Sequence, residues 1–290
     1  MFDWSTAHGS RSSRSPLPAP RSLALLAVLC LGLPAAPPLL AQTVARAPHV
    51  TVSLIPERLD LAAGGATRLA IRFDIEAGYH LYFAYPGQSG VGTRFAWQLP
   101  AGVTVDSIEW PVPERLVTEG LVTQVYQTGF VVLTAVHAAA STGGAHLAVK
   151  ISWGVCRIQC TADDEMLRLS LPAGTGRPNP EWKSAASALH RLAAPVPGLS
   201  VAVIRQGSSI ALRLTPSAAV PKGAHLLTFF PLDGTALDTC IVAPPRMAGA
   251  GIELLLGPVN EGAKHLRGIL SGWPAGSGPP GVPVDVPIGG

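Results

Sequence analysis

Cysteine is scarce in this sequence, and its placement limits the chemistry that the chain can perform. The 290 residues include four cysteines, at positions 30, 156, 160 and 240. Cys156 and Cys160 form a Cys-x3-Cys pair, but no second cysteine or histidine pair follows at the spacing of tetrahedral zinc sites. The three methionines form no cluster that would add soft ligands for copper(I). A zinc site is therefore disfavoured, and a copper(I) site would have to rely on the two thiolates of the pair.

Charge is sparse as well. Charged residues make up 13% of the sequence, and the formal net charge is +3. Residues 1–41 contain three of the 21 basic and one of the 18 acidic residues, so the rest of the chain carries a net charge of about +1. This balance argues against nucleic acid or an anionic membrane as a partner. No serine–histidine–acid arrangement, phosphate-binding glycine loop or paired-carboxylate site stands out, and we predict no cofactor.

Long apolar runs are absent after residue 41, and the run before it has the features of an export signal. Three arginines precede an apolar segment at residues 22–33, and small and helix-breaking residues follow it. The segment is short for a membrane span. We therefore expect residues 1–42 to be a signal peptide that is cleaved near Ala41 or Ala45, and the mature protein to be exported. An uncleaved membrane anchor is the alternative.

Turn-forming residues are abundant in the rest of the chain. The sequence holds 31 glycines and 28 prolines, and they separate many short segments rich in β-branched and apolar residues. A mature length of about 250 residues is typical of two domains. The pattern favours all-β sandwiches over α/β folds. We predict a β-sandwich over residues 43–175 and a second, smaller β-rich domain over residues 176–290.

A short helix is predicted between the two domains. Asn179 can cap it, with Pro180 at its first position. Its apolar face would consist of Trp182, Ala186, Leu189 and Ala193. We expect this face to pack between the domains.

The sequence predicts the approximate positions of individual strands in both domains. In the first domain, residues 103–110 are predicted to form a strand, whereas residues 114–126 are interpreted as a loop or an irregular edge strand. In the second domain, strands are predicted at residues 199–205, 210–214, 225–230, 251–256, 265–270 and 282–288. Cys240 stands alone in that half, which is typical of a buried small hydrophobic residue or an unpaired thiol.

The chain must reverse between Cys156 and Cys160 if the two form a disulfide. A disulfide requires Cα atoms within about 7 Å, whereas four steps along a flat strand cover about 13 Å. Residues 145–155 before the pair and residues 167–171 after it both have the character of strands. Such a small ring gains little loop entropy on closure, and exposed or strained disulfides tend to be catalytic. A purely structural disulfide is the alternative, because paired cysteines in exported proteins often have that role.

Four sequence motifs, in order, resemble one known family. They are Gly-Tyr-His-Leu-Tyr-Phe-Ala-Tyr-Pro-Gly-Gln-Ser-Gly at residues 78–90, Trp-Gln-Leu-Pro-Ala-Gly-Val at 97–103, Ile-Glu-Trp-Pro-Val-Pro-Glu-Arg at 108–115 and Trp-Gly-Val-Cys-Arg-Ile-Gln-Cys at 153–160. Together they resemble the N-terminal periplasmic region of DsbD-like thiol:disulfide interchange proteins, above all the ScsB-type branch. The resemblance covers roughly residues 50–175 well, and the second half more loosely.

The resemblance implies an immunoglobulin-like sandwich and a redox role for the cysteine pair. By analogy, Cys160 forms the mixed disulfide with a partner and Cys156 resolves it. His80 and Tyr82 match an aromatic strand that flanks the pair in the family. A cap loop would fall near residues 119–126, where Leu121, Val122 or Tyr126 would have to replace the family's cap phenylalanine. Tyr126 and Trp153 are therefore further candidate supporting residues, with ordinary packing as the alternative for both.

The same resemblance implies the partners. Such a domain takes electrons from a membrane-embedded donor and passes them to periplasmic thioredoxin-fold proteins, and the family is linked with cytochrome c biogenesis and copper tolerance. Because no membrane-spanning run or thioredoxin domain follows in this sequence, we expect a separate membrane-embedded protein to supply the electrons. The alternatives are a non-enzymatic interaction module with a structural disulfide, and a copper-handling protein.

Overall fold

A computed structural model describes residues 43–217, 226–273 and 280–289 of the chain. The predicted signal peptide with Cys30, and His225 at the start of one predicted strand, lie outside the described residues. Within the described ranges the chain forms nineteen strands, one short α-helix and one 3-10 turn. None of the helical structure described there is long and apolar enough to cross a membrane. The predicted all-β class is confirmed.

The first eleven strands form a sandwich of two sheets. In chain order they are β1 (Val44–Ala47), β2 (Val50–Pro56), β3 (Ala66–Ile75), β4 (His80–Gly87), β5 (Arg94–Gln98), β6 (Val103–Val105), β7 (Glu114–Thr118), β8 (Leu121–Tyr126), β9 (Phe130–Ala138), β10 (Ala145–Cys156) and β11 (Cys160–Leu171). One sheet has the order β1-β2-β3-β9-β6. The other has the order β11-β10-β4-β8-β7, with β5 paired to β10. All pairings are antiparallel, so each strand can bury alternate side chains and expose the others.

Aromatic side chains from both sheets fill the interior of this sandwich. Phe73 of β3 stacks on Phe130 of β9, with ring centroids 4.7 Å apart. The same phenylalanine meets Trp153 of β10 edge to face at 6.4 Å, which joins the two sheets across the core. Trp153 is fully buried. The core therefore lies on the inner faces of β4, β8 and β10, and any site built on these strands must use their outer faces or their ends.

Two strand predictions in this sandwich need correction. The strand predicted over residues 103–110 ends at Val105, because an extra residue follows it: Asp106 donates its N–H to Ala135 O (3.0 Å), whereas Glu109 pairs with Leu133. The extra residue is typical of a β-bulge, which interrupts the regular ladder with β9. The segment at residues 114–126 is a regular hairpin of β7 and β8.

The turn residues explain this hairpin. Glu119 and Gly120 both have positive φ, at 53° and 82°. Two-residue hairpin turns of the primed type require positive φ at both central positions, which match the right-handed twist of the flanking strands. Glutamate seldom takes this conformation, so the pair did not stand out as a turn in the sequence.

The remaining strands form a second, smaller sandwich. They are β12 (Leu199–Gln206), β13 (Ser209–Pro216), β14 (Leu227–Pro231), β15 (Ile241–Ala243), β16 (Arg246–Ala248), β17 (Gly251–Pro258), β18 (His265–Ser271) and β19 (Gly281–Pro287). They pair as β12-β13-β17-β16 and β15-β14-β18-β19. A separate apolar cluster fills the space between these sheets, with Leu212, Phe229 and Leu254 fully buried. The division into two domains at residue 175 stays a prediction, since all described residues belong to one compact unit.

The predicted connecting helix is present but shorter than expected. Helix α1 covers Trp182–Ala186, and a 3-10 turn follows at Leu189–Arg191. Because the helix does not continue, Ala185 and Leu192 are the buried positions that this segment adds to an apolar cluster. They pack on the outer side of the first sheet, against Ile55, Ala70, Val131 and Leu133. Of the predicted face, Trp182 and Leu189 pack against the cluster and Ala193 is buried in the main core, whereas Ala186 is only partly buried.

Polar contacts fasten the segment before this helix to the first sandwich. Asp60 is buried, and it accepts hydrogen bonds from the Gly176 N–H, the Arg177 N–H (3.0 Å) and Arg177 Nε (2.6 Å). Burial raises the pKa of Asp60, but these hydrogen bonds outweigh it and lower the pKa below its ordinary value. Asn179 donates from Nδ2 to Pro56 O (2.8 Å), and its Oδ1 accepts from the Glu181 N–H (3.0 Å).

Removing the Asn179 side chain should loosen this attachment. We expect Asn179→Ala to lower the free energy of unfolding by about 1–3 kcal/mol, because the buried Pro56 carbonyl loses its donor. Asn179→Asp keeps an oxygen for the Glu181 N–H but loses the donor, so its unfolding free energy should lie between those of the wild type and the alanine variant. Urea unfolding measures all three. Equal stabilities would show that these contacts contribute nothing to the fold.

Candidate functional site

The cysteine pair lies at the end of the β10–β11 hairpin. Cys156 and Cys160 are the last directly opposed residues of the two strands, and they form a disulfide with Cα atoms 4.1 Å apart. Arg157, Ile158 and Gln159 make the reversal between them. The predicted turn is therefore confirmed. Ile158 at its tip is 92% exposed.

Strand β11 begins earlier than predicted. It starts at Cys160 rather than at residue 167, so the acidic residues Asp163 and Asp164 lie within the ladder, opposite Trp153 and Ser152. Polar residues are tolerated here because the first part of β11 is largely exposed. Lys150 pairs with Asp164 at 3.1 Å, which neutralises part of this charge.

The two sulfur-bearing residues differ sharply in exposure. Cys160 is exposed, whereas only 7% of Cys156 is accessible. Cys156 packs in a small apolar group with Tyr82, Val125 and the partly buried Leu116, which we call the Cys156 cluster. Tyr82 and Val125 are directly opposed on β4 and β8, so they share one face of the sheet. A reagent can therefore approach Cys160 from solvent but meets packed side chains at Cys156.

His80 is the cross-strand neighbour of Cys156. The two residues are directly opposed on β4 and β10, which places their side chains on the same face. The His80 ring meets the Tyr82 ring edge to face, with centroids 5.3 Å apart. His80 is half-buried, and this burial lowers its pKa.

Tyr82 contacts the other cysteine. Its hydroxyl oxygen lies 3.6 Å from Cys160 Sγ. Burial raises the pKa of Tyr82, so the phenol keeps its proton at neutral pH. When Cys160 is a thiolate, Tyr82 is thus placed to donate a hydrogen bond to it.

The loop between β4 and β5, residues 88–93, covers the Tyr82 ring. Gly90 has φ +98°, and a side chain there would collide with the ring. The N–H of Gly154 on β10 donates to Val91 O at 3.0 Å, which fixes the loop over the sheet. Gln88 joins the same loop to β8, since its Oε1 accepts from the Val122 N–H at 2.7 Å. This loop therefore shields one side of the site, a role that the motif at residues 78–90 did not predict.

The segment predicted to be a cap contributes less than expected. Val125 belongs to the Cys156 cluster, and Leu116 on the neighbouring strand packs against it. Leu121 is exposed near the hairpin turn, and Val122 packs against the sandwich core.

Tyr126 and Trp153 lie on the inner face of the sheet, away from the Cys156 cluster. Tyr126 follows Val125 directly and Trp153 precedes Cys156 by three residues, so strand alternation points each to the opposite face. The Tyr126 ring stacks on Phe130 at 3.9 Å, and its hydroxyl donates to Pro111 O at 2.8 Å. Burial raises the pKa of Tyr126 well above its ordinary value. Both side chains pack the core, and a supporting role for them stays a prediction.

Arg157 anchors the base of the hairpin turn. Its guanidinium lies 5.8 Å from the centroid of the Tyr79 ring, and Tyr79 stacks on His49 at 3.9 Å. His49 Nδ1 is in turn 2.7 Å from Glu76 Oε2. This chain of contacts directs the arginine toward Tyr79.

Cys240 is not part of the site. It is buried and free, and it packs into the apolar cluster of the first sandwich. Burial raises its pKa, and Arg115 offsets this only in part. Within the described ranges, no group of three or more His, Cys, Asp or Glu side chains is arranged to hold a metal ion.

Part of the chain, including the cysteine pair, matches a known protein family. Residues 52–172 match the family described as "Thiol:disulfide interchange protein DsbD, N-terminal". The resemblance predicted from the four motifs is therefore confirmed, and so is the immunoglobulin-like sandwich. The matched region includes His80, Tyr82 and both cysteines of the pair.

Solved structures extend the likeness in fold beyond the matched region. The crystal structure of the N-terminal periplasmic domain of ScsB from Proteus mirabilis has a TM-score of 0.58 at 17% identity, and the alignment covers 86% of this chain and 99% of that one. A yeast GGA1 GAE domain (TM-score 0.28, 13% identity, 45% and 97% covered) and collagen adhesin from S. aureus (0.17, 9%, 86% and 93%) score too low to inform the fold. No curated protein matches the sequence.

Proposed function

We propose that this protein carries out thiol:disulfide interchange in the periplasm through Cys156 and Cys160, and that it reduces thioredoxin-fold proteins. The observation that carries the proposal is the unequal exposure of the two cysteines within one short ring. A single accessible sulfur can meet a partner disulfide, while the second sulfur waits beside it. The match to the DsbD N-terminal family supports the same reaction class.

The reaction has two steps. In the reduced protein, the Cys160 thiolate attacks a partner disulfide; one partner sulfur leaves as a thiolate and takes up a proton, and a mixed disulfide forms. The Cys156 sulfur then attacks Cys160 Sγ, which forms the Cys156–Cys160 disulfide and releases the second partner sulfur. The partner gains two electrons and two protons, and this protein loses them. Tyr82 is placed to stabilise the Cys160 thiolate at the start, because its protonated hydroxyl lies 3.6 Å from Sγ.

The position of the disulfide argues against a purely structural role. The ladder of β10 and β11 already pairs twelve residues on each strand, so a bridge at its last pair restrains little of the chain. In the loop-entropy model a cross-link stabilises a fold more when the loop that it closes is longer, and this loop is short. The interaction-module alternative therefore has less support. We do not propose copper handling, because no observation on the described residues favours it over thiol:disulfide interchange.

Electron transfer to a thioredoxin-fold protein tests the proposal directly. The protein is reduced, freed of reductant and mixed with oxidised thioredoxin, and the reaction is quenched with a mass-tagged alkylating reagent. We expect tags to disappear from this protein as they appear on thioredoxin, in equal numbers. Cys240→Ser should behave identically, because that thiol is buried away from the pair. The same assay is run with an oxidised periplasmic disulfide isomerase of the thioredoxin fold. If both proteins stay oxidised in the presence of the reduced pair, the proposed function is contradicted.

A further inference from the structure

The second step of the proposed reaction requires a thiolate at Cys156, whose apolar surroundings disfavour the charged form. Cys156 is buried in the Cys156 cluster, where its neighbours are the ring of Tyr82 and the aliphatic side chains of Val125 and Leu116. Apolar surroundings raise the pKa of a thiol, whereas only the thiolate attacks a disulfide. A group that takes the proton from Cys156 would therefore accelerate the step that releases the partner.

His80 is the titratable side chain directly across the ladder from Cys156. Opposed residues of an antiparallel pair have Cβ atoms about 4.5–5.5 Å apart, and their side chains lie on one face. The Tyr82 ring holds the imidazole edge to face at 5.3 Å. Among the hydrogen bonds of the described residues, none involves the His80 ring, so its nitrogens are not committed to another acceptor or donor.

The charges around His80 leave it as a neutral base. On its own strand the next residue on the same face is Tyr82, and the residue opposite it on β10 is Cys156. Arg157, which follows Cys156, is directed toward the Tyr79 ring. On the β8 side, Gln127 follows Tyr126, the partner of Leu81, and it is uncharged. The acid there, Glu114, accepts a hydrogen bond from Gln127 Nε2 at 2.7 Å. Burial lowers the pKa of His80, so at neutral pH the ring is unprotonated and can accept a proton.

We propose that His80 is the general base that takes the proton of Cys156 as its sulfur attacks Cys160. This role rests on the proposed function and adds a catalytic group to its second step. The S–H bond of Cys156 breaks toward an imidazole nitrogen, and the Cys156–Cys160 bond forms. The bond between Cys160 and the partner sulfur breaks, and its electron pair leaves with the partner sulfur. That sulfur is protonated by the imidazolium or by water, which returns His80 to its neutral form.

The rates of the two reaction steps can be measured separately if a small aromatic disulfide replaces the protein partner. The reduced protein, with Cys240→Ser as background, is mixed with one equivalent of 5,5′-dithiobis(2-nitrobenzoate) in a stopped-flow instrument. The first thionitrobenzoate anion is released when Cys160 attacks, and this phase depends on reagent concentration. The second is released when Cys156 resolves the mixed disulfide, and this phase is unimolecular. Each release is followed by the absorbance of the anion.

Loss of the imidazole should affect only the second phase. We expect His80→Gln and His80→Phe to slow it about 100-fold at pH 7, the lower range of general-base contributions, while the first phase stays near the wild-type rate. The His80→Phe variant keeps an aromatic ring against Tyr82. If the second phase slows in both variants, the loss of packing is therefore not the cause. In the wild type, the second phase should slow as the pH falls through the pKa of His80, whereas both variants should lose this limb and follow only thiol ionisation.

A second histidine on the same strand pair serves as the control. His146 is exposed at the far end of β10 and contacts Ser170, so His146→Gln should leave both phases unchanged. An unchanged second phase in both His80 variants, or an equal slowing of both phases, would overturn the role of His80. A wild-type protein that releases one anion but not the second would instead overturn the proposed function and this inference with it.

Discussion

Replacing Cys156 with serine is expected to arrest the protein at a mixed disulfide with its partner, whereas replacing Cys160 with serine should abolish the reaction. The difference follows from exposure: Cys160 is open to solvent, and Cys156 is packed against Tyr82 and Val125. In Cys156→Ser the first attack can still occur, but no second thiol displaces the partner. In Cys160→Ser the remaining sulfur is buried and meets no partner.

Non-reducing gels and intact mass spectrometry distinguish these outcomes. Each variant is mixed with oxidised thioredoxin and quenched with acid. A covalent adduct of the two proteins should form with Cys156→Ser and disappear on reduction, and it should be absent with Cys160→Ser. Cys240→Ser serves as the matched single-cysteine control and should form no lasting adduct, because its pair is intact. A stable adduct with Cys160→Ser and none with Cys156→Ser would reverse the assigned roles.

Truncation of Tyr82 should have the second-largest effect, on both stability and protection of the disulfide. Tyr82 is 4% exposed, and its ring fills the space between Cys156, Val125 and the backbone of Gly90. We expect Tyr82→Ala to lower the free energy of unfolding by about 3–5 kcal/mol, as for other buried aromatic residues. Because the ring also shields the pair, dithiothreitol should reduce the disulfide of this variant faster than that of the wild type.

A conservative change separates the ring of Tyr82 from its hydroxyl. Tyr82→Phe keeps the packing, so its unfolding free energy and its rate of reduction by dithiothreitol should stay close to those of the wild type. It removes the hydroxyl that lies 3.6 Å from Cys160 Sγ, so the thiolate loses a donor and the pKa of Cys160 should rise. A pH titration of thiolate absorbance on the reduced protein measures this shift. A pKa equal to that of the wild type would show that the hydroxyl does not stabilise the thiolate.

The position of the cysteine pair could be predicted from the sequence because it depends on local geometry. Four residues of flat strand cannot close a disulfide, and the segments on either side alternate as strands do. If the two cysteines form a disulfide, the reversal at residues 157–159 follows from these two facts. The all-β class was accessible for a similar reason, since turn residues recur at short intervals throughout the chain.

The surroundings of the cysteine pair depend on contacts between residues that are distant in sequence, and the sequence did not predict these contacts. Leu116 and Val125 reach Cys156 only because β8 pairs with β4, which in turn pairs with β10. The segment that contains both was interpreted as irregular, since Glu119 takes a positive φ that glutamate seldom adopts. If the turn had been recognised, the alternation of side chains along β8 would have placed Tyr126 and Val125 on opposite faces of the sheet. Likewise, the odd spacing of Trp153 and Cys156 on one continuous strand already places them on opposite faces.

The reduction potential of the Cys156–Cys160 pair in the folded protein tests the central claim most directly. The protein is equilibrated in glutathione or dithiothreitol buffers of defined ratio, and the fraction reduced is read by mass-tagged alkylation, with Cys240→Ser to leave two thiols. Thiol:disulfide exchange predicts a potential between about −270 and −120 mV, the range of exchange proteins. A potential below about −300 mV, or a disulfide that is reduced only when the protein unfolds, would identify a structural bridge and contradict the account.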